Sequence, residues 1–186
     1  MALSTIDLSQ QSGTSLPSSI VTASGLSLGT EEYDIYVVTS AFSNIPGVIS
    51  SNWSRFSDTG FEKIGTGVTQ SSGIFTFPST GKYLVRFSGQ FTVNNSNHNR
   101  YFQTNIDYSN DSFSSSHRLG EVYTFATGGA NTYSTCTSVA MVDITNTSTN
   151  KVRFSVGSDN DASWALVYAS STTLSTYATF EKLGDT

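Results

Sequence analysis

The chain is poor in cysteine, proline and charge, and each scarcity removes a class of explanation. A single cysteine, Cys136, in 186 residues leaves no intrachain disulfide framework. It falls in an apolar strand pattern, where a small buried thiol is the plain reading. Only 12% of residues are charged, about half the usual share. Lys and Arg are clustered nowhere and the net charge is −5, so no electrostatic footprint for nucleic acid or an anionic membrane is present. No apolar run approaches the length of a membrane-spanning helix. The N-terminus lacks a basic segment followed by an apolar run, so no secretory signal is read there and synthesis in a cytoplasm is expected. No segment keeps an apolar period of 3.6, so helices are not expected either.

Residues that carry chemistry are equally sparse. The two histidines, His98 and His117, stand apart from Cys136 and from any serine nucleophile motif. Ser79-Thr80-Gly81-Lys82 spells Ser-x-x-Lys without the helix start or companion motifs that chemistry needs. It also lacks the upstream glycine and following hydroxyl of a phosphate loop. Asp159-Asn160-Asp161 offers oxygen ligands for Ca²⁺, but no bidentate Glu follows, and a solvated turn is the simpler reading. The sequons at Asn52, Asn94, Asn110 and Asn146 are what an Asn/Ser/Thr-rich chain produces by chance. The expectation is a protein that is not an enzyme and takes no cofactor and no metal.

What is abundant is aromatic and hydroxyl. Phe, Trp and Tyr make up 12% of the chain, enough to argue against disorder beyond the first thirty residues. Residues 73–93, GIFTFPSTGKYLVRFSGQFTV, form the clearest pattern. Ile74, Phe75 and Phe77 suit a strand, and Pro78 to Gly81 reads as a hairpin turn. Beyond it Tyr83, Val85, Phe87, Phe91 and Val93 share one face, interrupted by Gly89. Further strands are expected at 33–39, 53–56, 61–64, 100–108, 117–127, 132–144, 151–156 and 174–183, with a bulge at Gly120 and a loop over 65–73. Residues 164–169 fit either a short strand or a packed loop. Many short strands between Gly, Pro and Asn turns indicate an all-β antiparallel sandwich spanning 31–186. Residues 1–30 carry Leu3, Ile6, Leu8, Leu16, Ile20 and Val21 at no regular spacing and read as an extended arm. Those apolar residues either dock on a partner or ride on a loose tail.

Phe75, Phe77, Pro78, Gly81, Tyr83 and Phe87 form an F-x-x-P-x-x-G-x-Y-like block that resembles the C1q/TNF-like jelly roll. The closing strand Ser175-Thr176-Tyr177-Ala178-Thr179-Phe180 resembles the family's last strand. The wording Gly-Ile-Phe-Thr-Phe-Pro-Ser-Thr-Gly, with Asp-Ile-Thr-Asn-Thr-Ser later, looks like short C1q-like proteins of marine bacteriophages. The resemblance implies a jelly roll and a homotrimer in which one sheet of each subunit packs about a threefold axis. The strands at 33–39, 132–144 and 174–183 are apolar on both faces, as such a sheet requires. Tyr36, Val38, Leu84, Tyr133, Val139, Met141 and Tyr177 are the expected interface residues. The functional expectation is a structural virion protein on a phage exterior, bound to capsid or tail proteins and most naturally a capsid decoration or cement protein. The alternatives are a tail-fibre tip that recognises a host-surface glycan or protein, and a secreted C1q-like binding protein.

Overall fold

A computed structural model describes residues 29–42, 45, 47–93, 99–126, 132–159 and 165–186. The candidate arm residues Leu3, Ile6, Leu8, Leu16, Ile20 and Val21 lie outside the described residues, as do His98, the expected turn at Gly128-Gly129, Asn160, Asp161 and Trp164. The described residues hold eleven strands and no helix. In chain order they are β1 (Tyr33–Val38), β2 (Trp53–Arg55), β3 (Thr69–Ser71), β4 (Ile74–Thr76), β5 (Gly81–Val93) and β6 (Asn99–Ser109). β7 (His117–Ala126), β8 (Thr132–Ile144), β9 (Lys151–Ser158), β10 (Ala165–Val167) and β11 (Tyr177–Gly184) follow.

The strands form two antiparallel sheets. The first runs β2-β1-β11-β5-β8, and β10 continues the line of β11 along β5. The second runs β3-β4-β9-β6-β7. β11 is inserted between β1 and β5, β8 lies beside β5, and β9 separates β4 from β6; these long crossovers are the connectivity of a jelly roll. The expected all-β antiparallel jelly-roll sandwich is therefore the observed fold.

The alternation in β5 sets the core. Tyr83, Val85, Phe87, Phe91 and Val93 are all buried between the sheets. Gly89 breaks the row because a Cβ there would stand 2.6 Å from Cγ2 of Thr104 on the facing sheet. The second sheet contributes Phe75, Phe102, Ile106, Val152, Phe154 and Val156. The Phe154 ring centroid lies 4.8 Å from Phe87, 5.1 Å from Phe75 and 5.6 Å from Trp53. Such ring pairs add about 0.5–1.5 kcal/mol each beyond the area they bury. Cys136 is buried as expected, and burial pushes its thiol pKa up.

Three expectations need correction, and one polar strand face proves to be buried. The segment at 73–93 is not a hairpin, because β4 pairs in the second sheet and β5 in the first. Pro78 has no N–H to continue the ladder. Gly81 (φ 142°) lets the chain pass close to Gly184 O, where a Cβ would sit 2.6 Å away. Phe77 and Tyr83 then meet inside the sandwich at 4.7 Å, so the turn is a corner between layers. Residues 61–64 form no strand; only Ile64 bridges to Tyr33. The loop expected over 65–73 contains β3, a polar edge strand paired with β4. Finally, the polar face of β6 is not open to water: Asn105, Asp107 and Ser109 are buried. The bulge is present, with Leu119 as the extra residue between Arg118, opposite Asp107, and Gly120, opposite Ile106.

Candidate interaction surface

Register fixes which side chains share the outer face of the first sheet. One row across β1, β11, β5 and β8 is Val37, Tyr177, Ser88 and Thr137. The next is Ile35, Thr179, Arg86 and Val139, and the third is Tyr33, Glu181, Leu84 and Met141. Side chains on one face of paired strands are neighbours, so these rows make one continuous layer, in which Ile35, Val37, Ser88 and Thr179 are already buried within the chain. The first, last and two middle strands of the sandwich do lie side by side in it.

The surface is apolar where β8 contributes. Met141 is 63% exposed, Tyr133 52% and Val139 50%. Tyr133 stands edge-on to Tyr168 at 5.5 Å. Leu84 and Tyr177 are half-buried beside them. The charges Arg86 and Glu181 pair with each other at 3.4 Å. Burial raises the Tyr33 phenol above its usual pKa, so it stays neutral. The hydroxyl of Thr179 is buried there without a hydrogen-bond partner.

Leu84, Tyr133, Val139, Met141 and Tyr177 are thus brought onto one face as expected. Tyr36 and Val38 are not. Both point into the sandwich, 5% and 0% exposed. The Tyr36 ring packs edge-on against Phe75 at 5.2 Å, and its hydroxyl donates to Val68 O at 2.9 Å. Arg55 lies over that ring and pairs with the buried Asp34 at 3.0 Å. Desolvation raises the Asp34 pKa against the opposing pull of Arg55. Because β1 is apolar on both faces, a period of two does not say which set faces inward. The outward pair is Ile35 and Val37, one residue from the expected set.

The apolar surface continues around the edge where β7 meets β8. Leu119, the bulge residue, is 44% exposed. With Tyr108, Met141, Val142 and Asp143 it lines an open pocket of about 170 Å³. Sequence reading missed Leu119 as a surface residue, although the bulge expected at Gly120 was the signal that would have turned it outward.

The remaining candidates are accounted for individually. The Ser79 hydroxyl shares a hydrogen bond with Tyr83 in the corner turn. Asp159 holds Arg100 through Nε at 2.7 Å. Among the described residues no three His, Cys, Asp or Glu side chains converge on one point.

No protein-family model and no curated protein matches the chain. Solved structures do match. Murine APRIL at pH 5.0 superposes with a TM-score of 0.56 and 14% identity, over 82% of this chain and 98% of that one. Murine APRIL at pH 8.5 gives 0.52 and 15% over the same shares. These neighbours are TNF-like jelly rolls, and at that identity the likeness concerns the fold alone.

Proposed function

We propose that the chain assembles as a homotrimer through the outer face of its first sheet. We further propose that the trimer is a structural protein on the exterior of a bacteriophage particle, decorating or cementing the capsid. The observation that carries the assembly is the exposure of Met141, Tyr133 and Val139 on one sheet face, with the half-buried Leu84 and Tyr177 on the same face. A face of this kind is stable in water when a partner covers it. The TNF-like fold supports the threefold arrangement that the sequence resemblance implies. The phage assignment rests on the resemblance of the wording at Gly73–Gly81 to short C1q-like phage proteins. In this reading the protein is made in the host cytoplasm and resides on the virion surface. Its partners are its own copies and other virion proteins, and residues 1–30 serve as the attachment arm.

Two measurements test this. Sedimentation equilibrium should give three times the mass of one chain at micromolar concentration; a monomer there refutes the assembly. A chain beginning at Glu31 should keep the trimer and its melting temperature but lose most binding to particles that lack the protein. An extended arm can cover a large surface, and three arms on one trimer raise avidity. Full binding without the arm would assign attachment to the sandwich instead. The second reading, a tip that recognises a host-surface glycan or protein, is favoured by the outer face of the second sheet.

A further inference from the structure

The outer face of the second sheet is ordered as closely as that of the first, but its chemistry differs. Across β9, β6 and β7 the rows are Arg153-Asp107-Arg118, then Ser155-Asn105-Glu121, then Gly157-Gln103-Tyr123. Tyr101 and Phe125 follow on the same side, two residues beyond Gln103 and Tyr123. The face therefore grades from charge, through amides, to aromatic rings.

Three features of this face point to one ligand chemistry. The rings are exposed and held: Phe125 is 67% and Tyr123 56% exposed. Tyr101 stands edge-on to Tyr123 at 5.5 Å, and the Tyr123 hydroxyl donates to Glu121 Oε1. Next to them Gln103 lies across Gly157, where a Cβ would collide with its amide nitrogen at 2.6 Å. That glycine leaves room for the Gln103 side chain to lie against the sheet next to the rings. In the adjacent row Asn105 is only 1% exposed, and its Oδ1 has no hydrogen-bond partner. A buried, unpartnered carbonyl in a native sheet is costly and calls for a donor.

The charges on the face cancel. Asp107 is 3.2 Å from Arg118 and 3.7 Å from Arg153, while Arg118 reaches Glu121 at 3.9 Å. Arg100 pairs with Asp159 at 2.7 Å. Three cations meet three carboxylates, and the remaining cation of the face, Lys151, is bonded to Thr76 Oγ1 and Thr147 O beyond the Arg153 row, which leaves little net attraction for a phosphate, an acidic peptide or a basic one. Aromatic rings broken up by amides also give no continuous apolar core for a protein partner. A ligand that presents C–H faces to rings and many hydroxyl donors to amides and carboxylates satisfies all of these groups.

We propose that the outer face of the second sheet is a binding site for a neutral glycan. Tyr123 and Phe125 supply the stacking platform, and the half-buried Gln103 amide beside them donates to and accepts from sugar hydroxyls. The site lies on the opposite side of the sandwich from the proposed trimer face, so three copies can bind while the trimer is intact.

The test is native affinity electrophoresis of the full chain in gels cast with dextran, mannan, galactomannan or xylan, and with alginate as an anionic comparison. The expected result is retardation by at least one neutral polysaccharide. The double variant Tyr123→Ala/Phe125→Ala should bind it at least tenfold more weakly, whereas Leu174→Ala should bind like the parent. Both altered rings are exposed, so the melting temperature should not change. Should the double variant lose its thermal transition, Gln103→Ala replaces it and must weaken binding by threefold or more. Absence of retardation by all four neutral polysaccharides overturns the proposal. So does retardation by alginate alone, or unweakened binding by the altered face.

Discussion

Met141→Asp separates the assembly from the fold. Met141 points outward from β8 and is 63% exposed, so the substitution leaves the core of the single chain untouched. Fully burying a Met side chain is worth about 1.5–3 kcal/mol, so covering the exposed part gains roughly 1–2 kcal/mol per copy. An aspartate in its place would have to be desolvated against Leu84, which sits opposite it in the register. Two cations flank Leu84 on that face of β5: Arg86 is already paired with Glu181 at 3.4 Å, and the exposed Lys82 stands opposite Asp143 in the register. An unpaired buried charge costs several kcal/mol, so across three copies the loss is on the order of 5 kcal/mol or more. That is a weakening of association by at least about 10³-fold. Sedimentation velocity at micromolar concentration should show the parent as a trimer and Met141→Asp as a folded monomer with the parent's near-ultraviolet circular dichroism. Met141→Leu should remain trimeric. Co-sedimentation of Met141→Asp with the parent would refute the reasoning. Tyr36→Asp should behave differently and unfold, because its ring lies in the core.

Gly89→Ala should lower stability by about 1–3 kcal/mol in urea denaturation, since the new methyl meets Thr104 Cγ2 at 2.6 Å and the Phe91 ring at 3.0 Å. Asp111 is held at a pKa of about 2, chiefly by the Ser115 hydroxyl and then by the Ser115 N–H and the Ser109 hydroxyl. Its folded value lies below its unfolded one, so its stabilisation is complete above about pH 4 and lost as pH falls towards 2. Asp111→Asn should therefore flatten the acid limb of a melting-temperature profile between those values; an unchanged limb would show that other groups set it. Addition of EDTA should leave the melting temperature unchanged, and a fall of more than a few degrees would reveal a structural cation.

Where one face of a strand is apolar and the other polar, the sequence was sufficient. β5 and β9 have the expected bounds to within two residues, and their alternating apolar residues face inward. β1 defeated the same reasoning because both of its faces are apolar. β3 was invisible because Thr69, Gln70 and Ser71 carry no apolar alternation; it exists through its pairing with β4. The corner at Pro78–Gly81 looks like a hairpin locally, and only the pairing of β4 with β9 and β5 with β8 reveals a change of sheet. The polar residues Asn105 and Asp107 of β6 carry no local sign of burial, yet both are buried. Long-range pairing decides β1, the corner and β6, whereas β3 rests on a local hairpin through Ser72 and Gly73, both at positive φ.

The position of β11 has a consequence for how the molecule is made. It is the last strand in the described chain, yet it lies between β1 and β5 rather than at an edge. Until it emerges from the ribosome, β1 has no partner on that side and β5 has only β10 and β8. Closing the gap joins residues some 140 positions apart, as in Ile35 with Thr179. Such distant contacts repay their loop entropy late, which makes for slow folding. During synthesis two apolar strands are thus left with open hydrogen-bonding edges, the condition in which nascent chains pair with one another. Soluble yield should therefore depend more on slow translation and low temperature than on the stability of the finished sandwich.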